Sequence, residues 1–309
     1  MQASDSKIVV LGTGGTIAGR GSDLGYQAAQ LGVAQLLEAV PALAGHGPIE
    51  TEQVAQIDSK DMDYAVWRAL ALRCQAHMDD PQVRAVVITH GTDTIEETAF
   101  FLSSVLHVHK PVVLTCAMRP ATALAPDGPQ NLLDAAALAA TPGWAGVCVV
   151  AAGTVHGARQ VQKVHPYRLD AFSSGEEGPL GWVEAGRVRW AQNRPPAQDS
   201  QALEAIEKIA NAVDWPRVDV VLGHAGADGR VVDALAASGT QGIVVAATGN
   251  GTLHHALEAA LLRAQAAGVR VVVATRCPLG RVLPVPGTAF DTTALSPVKA
   301  RVALFLELL

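Results

Sequence analysis

The sequence predicts an α/β protein, and three stretches carry that prediction. Residues 86–97 (VVITHGTDTIEE) run from a short apolar segment into a polar turn. Thr94 and Glu97 then have the T-x-x-E spacing that opens a helix. Residues 7–11 (KIVVL) repeat the buried-strand pattern and lead into residues 12–19 (GTGGTIAG). From Val218 onward strands and helices alternate again, which implies a second, smaller parallel α/β layer.

Taken in order, the chain gives these elements. After the first strand, residues 19–32 form a polar, Gly-rich segment that contains Tyr26. Residues 34–40 read as a short helix ended by Pro41, and 54–57 as a strand. Met62, Ala65, Val66, Ala69 and Leu70 recur at helical spacing and predict an amphipathic helix, which places Ser59 in a strand-to-helix turn. Strands at 112–115 and 147–151 flank a helix over 129–139, and 154–163 reads as a β-rich return. The second layer consists of strands at Val218–Leu222, 243–246 and 270–274, helices at 231–237 and 253–267, and a final helix at Pro297–Leu308. His254 and His255, adjacent on such a helix, are expected to point apart. Pro195, Pro196 and scattered polar residues mark 191–216 as a linker, so the domains are expected at 1–190 and 217–309.

Bulk properties narrow the function. With 309 residues, 49% hydrophobic and 17% charged, the chain can bury two cores and is not disordered. A net charge of −6 argues against nucleic acid as a partner. Cys74, Cys116, Cys148 and Cys277 form no CxxC pair, no His/Cys group has metal-ligand spacing, and Cys116 and Cys148 sit in or beside apolar runs. No apolar run reaches membrane-spanning length and no signal peptide is visible, so a cytoplasmic protein is expected.

The polar turns suit amide cleavage. A primary amide needs a nucleophile, a proton carrier and stabilisation of the developing oxyanion. Thr16 and Thr92 offer hydroxyls, Asp93 adjoins one of them, and Lys163 is a candidate base. A lysine with its ordinary pKa of about 10.4 needs burial or neighbours to depress it before it serves as a base. A Thr92–Lys163–Asp93 chain could do this, with Lys163 taking the threonine proton and Asp93 holding the lysine.

The pair GTGGTIAG and THGTDT resembles the bacterial-type L-asparaginase family, which includes the glutaminase-asparaginases. Further matches are DSKDM at 58–62, CAMRP at 116–120, DGPQN at 127–131, Lys163, GPLG at 178–181, GNG at 249–251 and KARV at 299–302. The resemblance implies a larger N-terminal domain with a mixed, mostly parallel sheet, containing a left-handed crossover, and a smaller flavodoxin-like C-terminal domain. It implies a cofactor-free amidohydrolase acting on L-asparagine, with weak glutaminase activity. Thr16 is then the nucleophile, Tyr26 sits on a lid over it, and Thr92 with Lys163 and Asp93 assists. Asp93 binds the substrate ammonium and Ser59 its carboxylate. The Thr92 N–H lies near the oxyanion, and the Ala117 carbonyl receives the leaving amine. Gly15 and Gly91 belong to the substrate-binding set, the Gly14–Gly15 pair lets backbone approach the substrate closely because it lacks Cβ atoms, and Asn250 reaches the site of a neighbouring subunit in a homotetramer built as a dimer of dimers.

Two departures stand out. Secreted members carry Gln where this chain has Lys60, whose cation could meet the substrate carboxylate, narrow the pocket and disfavour glutamine. Those members also carry a Glu that holds the lid Tyr, whereas residues 276–297 here contain only Asp291 as an acidic residue. The missing Glu leaves open a non-catalytic amino-acid sensor on the same scaffold. A dinucleotide site is disfavoured because the third glycine of that fingerprint is Ile17. An ammonia-supplying amidase subunit is disfavoured because no basic RNA-facing domain is visible.

Overall fold

The computed structural model describes residues 6–22, 25–27, 29–191 and 202–309, with the backbone alone at 20–22, 25–27 and 202–203. The chain divides into two units, Met1–Ala210 and Asn211–Leu309. The expected linker stretch includes a helix, α5 (Ala202–Asn211), and its residues 192–201 lie outside the described part.

Five parallel strands form the heart of the first unit. They are β1 (Lys7–Gly14), β4 (Ile49–Ile57), β5 (Val83–Thr89), β6 (Pro111–Thr115) and β7 (Gly146–Ala151), in the order β7-β6-β5-β1-β4. Beyond β7 the sheet turns antiparallel through β8 (Thr154–Gly157), β11 (Gly181–Glu184) and β12 (Arg187–Trp190). The result is a mixed, mostly parallel eight-stranded sheet. Two ribbons stand apart from it: β2 (Arg20–Ser22) with β3 (Gly25–Gln27), and β9 (Gln162–Lys163) with β10 (Phe172–Ser173).

Local chemistry explains where the elements depart from the sequence reading. Strand β4 is longer than the 54–57 expected, because Glu50 and Glu52 lie on an edge strand, where charge is tolerated. The short helix α1 (Val33–Glu38) gives way to a 3-10 turn over Pro41–His46, with Pro41 starting that turn. Helix α2 (Tyr64–Asp79) exists as predicted but buries a different face: Trp67, Leu70, Ala71, Cys74 and Met78. Trp67 sets that rotation. It stacks on Phe101 of α3 (Ile95–Val105) at 4.8 Å, a contact worth about 1 kcal/mol beyond burial, and its indole N–H donates to Thr98 at 2.9 Å. The Thr94–Glu97 capping box does not form, because the Thr94 hydroxyl donates to the Ser59 carbonyl instead, at 2.7 Å. Helix α4 (Gly128–Ala140) packs its alanine-rich face on β5 and β6.

The second unit is a four-stranded parallel sheet, β13 (Val218–Leu222), β14 (Gly242–Ala247), β15 (Arg270–Thr275) and β16 (Asp291–Thr292). Helices α6 (Arg230–Ala237), α7 (His255–Ala266) and α8 (Pro297–Leu308) accompany it. His254 is the extended cap of α7 rather than part of it. Its ring therefore stacks on His255 at 4.3 Å, against the expectation that the two diverge. Among the described residues no helix is long and apolar enough to cross a membrane.

Candidate active site

Four neighbouring strands of the first sheet deliver the candidate residues side by side. In sheet order, β4 ends before Ser59, β1 before Thr16, β5 before Gly91, Thr92 and Asp93, and β6 before Ala117. All four are parallel, so their turns emerge at one end of the sheet, the carboxyl end, where α/β proteins bind ligands.

Close backbone contact holds the turns together. Gly15 has φ 81° and Gly14 φ 106°, conformations that side-chain-bearing residues rarely adopt. The Gly15 N–H donates to the Ile57 carbonyl at 2.9 Å. Gly91 in turn abuts Ser59, whose Oγ would lie 2.4 Å from a Cβ at position 91. Thr16, half-buried, begins a 3-10 turn directly after this contact.

Lys163 enters from the β9–β10 ribbon. Its Nζ donates to Thr92 Oγ1 at 2.7 Å and to Asp93 Oδ1 at 2.6 Å. The Thr92 hydroxyl is 3.4 Å from the same Asp93 oxygen. Thr92 is buried, whereas Asp93 keeps half its side chain exposed, which leaves its carboxylate open to a cationic ligand. Ser59, also buried, accepts the Asp93 N–H on its Oγ at 3.2 Å. A hydroxyl that accepts in this way still has its own hydrogen to donate to an anion.

Lys60, Asn250 and Asp291 have polar partners of their own. The Lys60 ammonium sits 2.7 Å from Asp61 and 3.4 Å from Asp58, with its side chain 62% exposed. Its pKa is raised, first by the Asp61 hydrogen bond, and the lysine is occupied by these carboxylates. Asn250 follows β14 in the second unit, where its amide donates to the Leu283 carbonyl at 3.2 Å and accepts the Leu283 N–H at 2.7 Å. Tyr26 lies in β3, and the lid role expected of its side chain falls outside the described residues. Asp291 pairs with Arg270 at 3.1 Å.

His90 supports the Thr92 turn from beneath, a role the sequence reading did not assign. It is fully buried, and burial pushes its pKa down to about 4. The Trp67 N–H can only donate, so the Thr98 hydroxyl accepts it and gives its own hydrogen to His90 Nε2, at 2.9 Å. The ring proton then sits on Nδ1 and goes to the Gly91 carbonyl at 2.7 Å. Among the described residues no group of three His, Cys, Asp or Glu side chains is placed to hold a metal.

Comparison with known proteins identifies the family. The family profile described as "Asparaginase, N-terminal" matches residues 7–196, and that of the "Glutaminase/Asparaginase C-terminal domain" matches 217–308. The chain is 37% identical to "L-asparaginase 2" of Escherichia coli K12, over 97% of this chain and 88% of that one. It is 34% identical to the "Glutaminase-asparaginase" of Pseudomonas fluorescens biotype A, over 98% of this chain and 86% of that one. The crystal structure of the "Probable Cytoplasmic L-asparaginase from Campylobacter jejuni" superposes with a TM-score of 0.90 at 36% identity, covering 98% of this chain and 95% of that one.

Proposed function

The chain belongs to the asparaginase family, and on that ground we propose that it is an L-asparaginase, hydrolysing L-asparagine to L-aspartate and ammonia with a minor glutaminase activity. The observation that carries this reading is Lys163 bridging Thr92 and Asp93 at the carboxyl end of the sheet. A lysine between a threonine and a carboxylate can move a proton to or from that threonine and return to its starting state.

In this reading Ser59 donates to the substrate α-carboxylate and Asp93 accepts from its α-ammonium. The Thr16 oxygen attacks the side-chain amide carbon, and its proton passes through the Thr92–Lys163–Asp93 relay to the leaving nitrogen. The Ala117 carbonyl accepts a hydrogen bond from that nitrogen, and the Thr92 N–H supports the oxyanion. Ammonia departs, leaving an ester on Thr16. Water then releases aspartate and restores the Thr16 hydroxyl. Tyr26 closes the lid, and no cofactor takes part. The working unit is a homotetramer in which Asn250 completes a neighbouring site. A cytoplasmic setting suits the four unpaired cysteines, three of them buried. No observation favours the sensor alternative, because Thr92, Asp93 and Lys163 are in mutual contact.

The test is ammonia release from L-asparagine and from L-glutamine by wild type and Thr16→Ala. Fast release from asparagine that Thr16→Ala abolishes supports the reading. Binding of the amino acid with no ammonia from either amide contradicts it.

A further inference from the structure

We infer that Asp127 and Asn131 are positioning residues that aim the Ala117 carbonyl at the scissile amide nitrogen; this rests on the role given to Ala117 above. The first observation is a helix cap that does not cap. Asp127 occupies the N-cap position of α4, where an aspartate side chain ordinarily accepts an N–H from its own first turn. Here it makes no such bond. Its two carboxylate oxygens turn back to accept the Met118 N–H at 2.9 Å and the Arg119 N–H at 2.8 Å. The cap's contribution, about 1 kcal/mol in ordinary helices, is given up to hold the loop after β6.

The second observation is the side chain one helical turn further on. Asn131 is buried, and its amide donates to the Cys116 carbonyl at 2.9 Å and to Asp127 Oδ2 at 3.2 Å. Its oxygen accepts the Ala152 N–H at 3.0 Å, which ties the assembly to the end of β7. The peptide groups on both sides of Ala117 are therefore fixed by side chains of α4. Ala117 itself is fully buried, and among the described residues none donates a hydrogen bond to its carbonyl. Buried carbonyls are nearly always paired, so this unpaired acceptor is the one we assign to the substrate nitrogen.

The consequence is selective. An amide substrate brings N–H groups to this carbonyl, and an ester of the same acid brings none. Misaiming the carbonyl therefore costs amide cleavage and spares ester cleavage. The experiment compares L-asparagine with L-aspartate β-methyl ester on wild type and Asp127→Asn, with melting temperature recorded for each protein. Asp127→Asn keeps one acceptor oxygen and turns an NH2 toward the other N–H. We expect kcat for asparagine to fall roughly ten- to hundredfold, KM to stay within about threefold, and ester turnover to stay within about threefold. Asn131→Asp keeps the acceptor for Ala152 and loses the donor to Cys116. It carries the same expected split and serves if Asp127→Asn does not fold. Equal losses on both substrates, or no loss on either, would overturn the inference. Failure of wild type to release ammonia would instead defeat the reading of the site, and this inference with it.

Discussion

Gly15 and Gly91 meet backbone to backbone: a Cβ at position 15 would lie 2.3 Å from both the Cα and the N of Gly91. This contact joins the turn that carries Thr16 to the turn that carries Thr92. No side chain fits there without parting the two. Gly91→Ala, whose Cβ would press on the Ser59 side chain and lie 3.1 Å from the Gly15 Cα, should lower kcat/KM for asparagine by roughly a hundredfold or more, since small displacements of reacting groups are costly. Gly45→Ala is the control, because a Cβ there meets nothing within 4 Å. Steady-state kinetics of the two variants checks this; an active Gly91→Ala enzyme would refute it.

His90 makes stability depend on pH. Its folded pKa, about 4, lies below the ordinary 6.5, so the unfolded chain binds the extra proton first. The contribution is fully present above about pH 6.5 and is lost as pH falls toward 4, up to roughly 3 kcal/mol. Denaturant unfolding at about pH 7 and about pH 4.5 should show wild type losing more stability between the two than His90→Gln does. Equal losses would mean that His90 is protonated without penalty.

The Lys60 ammonium is taken up by Asp61 and Asp58, which argues against its narrowing the pocket. Lys60→Gln should therefore leave the asparagine-to-glutamine ratio of kcat/KM within about twofold, as expected for an exposed charge pair. A larger change would return Lys60 to the substrate.

Much of this was legible in the sequence because each turn follows an apolar strand and is itself polar. Residues 7–19 and 86–97 announce both their position and their chemistry, and the alternation after Val218 announces the second sheet. What was not legible depends on partners distant in sequence. Trp67 turns α2 because Phe101 lies opposite it, 34 residues on. The Thr94 hydroxyl leaves its capping box for a carbonyl 35 residues away. Only the folded loop at 116–119 shows where the Asp127 carboxylate goes. His90 carries no local sign of its burial, since its ring is held by Thr98 of α3, which itself accepts from Trp67 of α2.

The central claim is that Thr92 and Lys163 act as one proton relay, as the 2.7 Å contact between them implies. A double-mutant cycle on kcat for L-asparagine, with Thr92→Val, Lys163→Met and the pair together, tests it most directly. Groups that act as a unit fail together. Each single change should lower kcat by about a thousandfold, and the double should fall no more than about tenfold below the worse single. Losses that multiply, or a single variant that turns over asparagine at the wild-type rate, would contradict the relay.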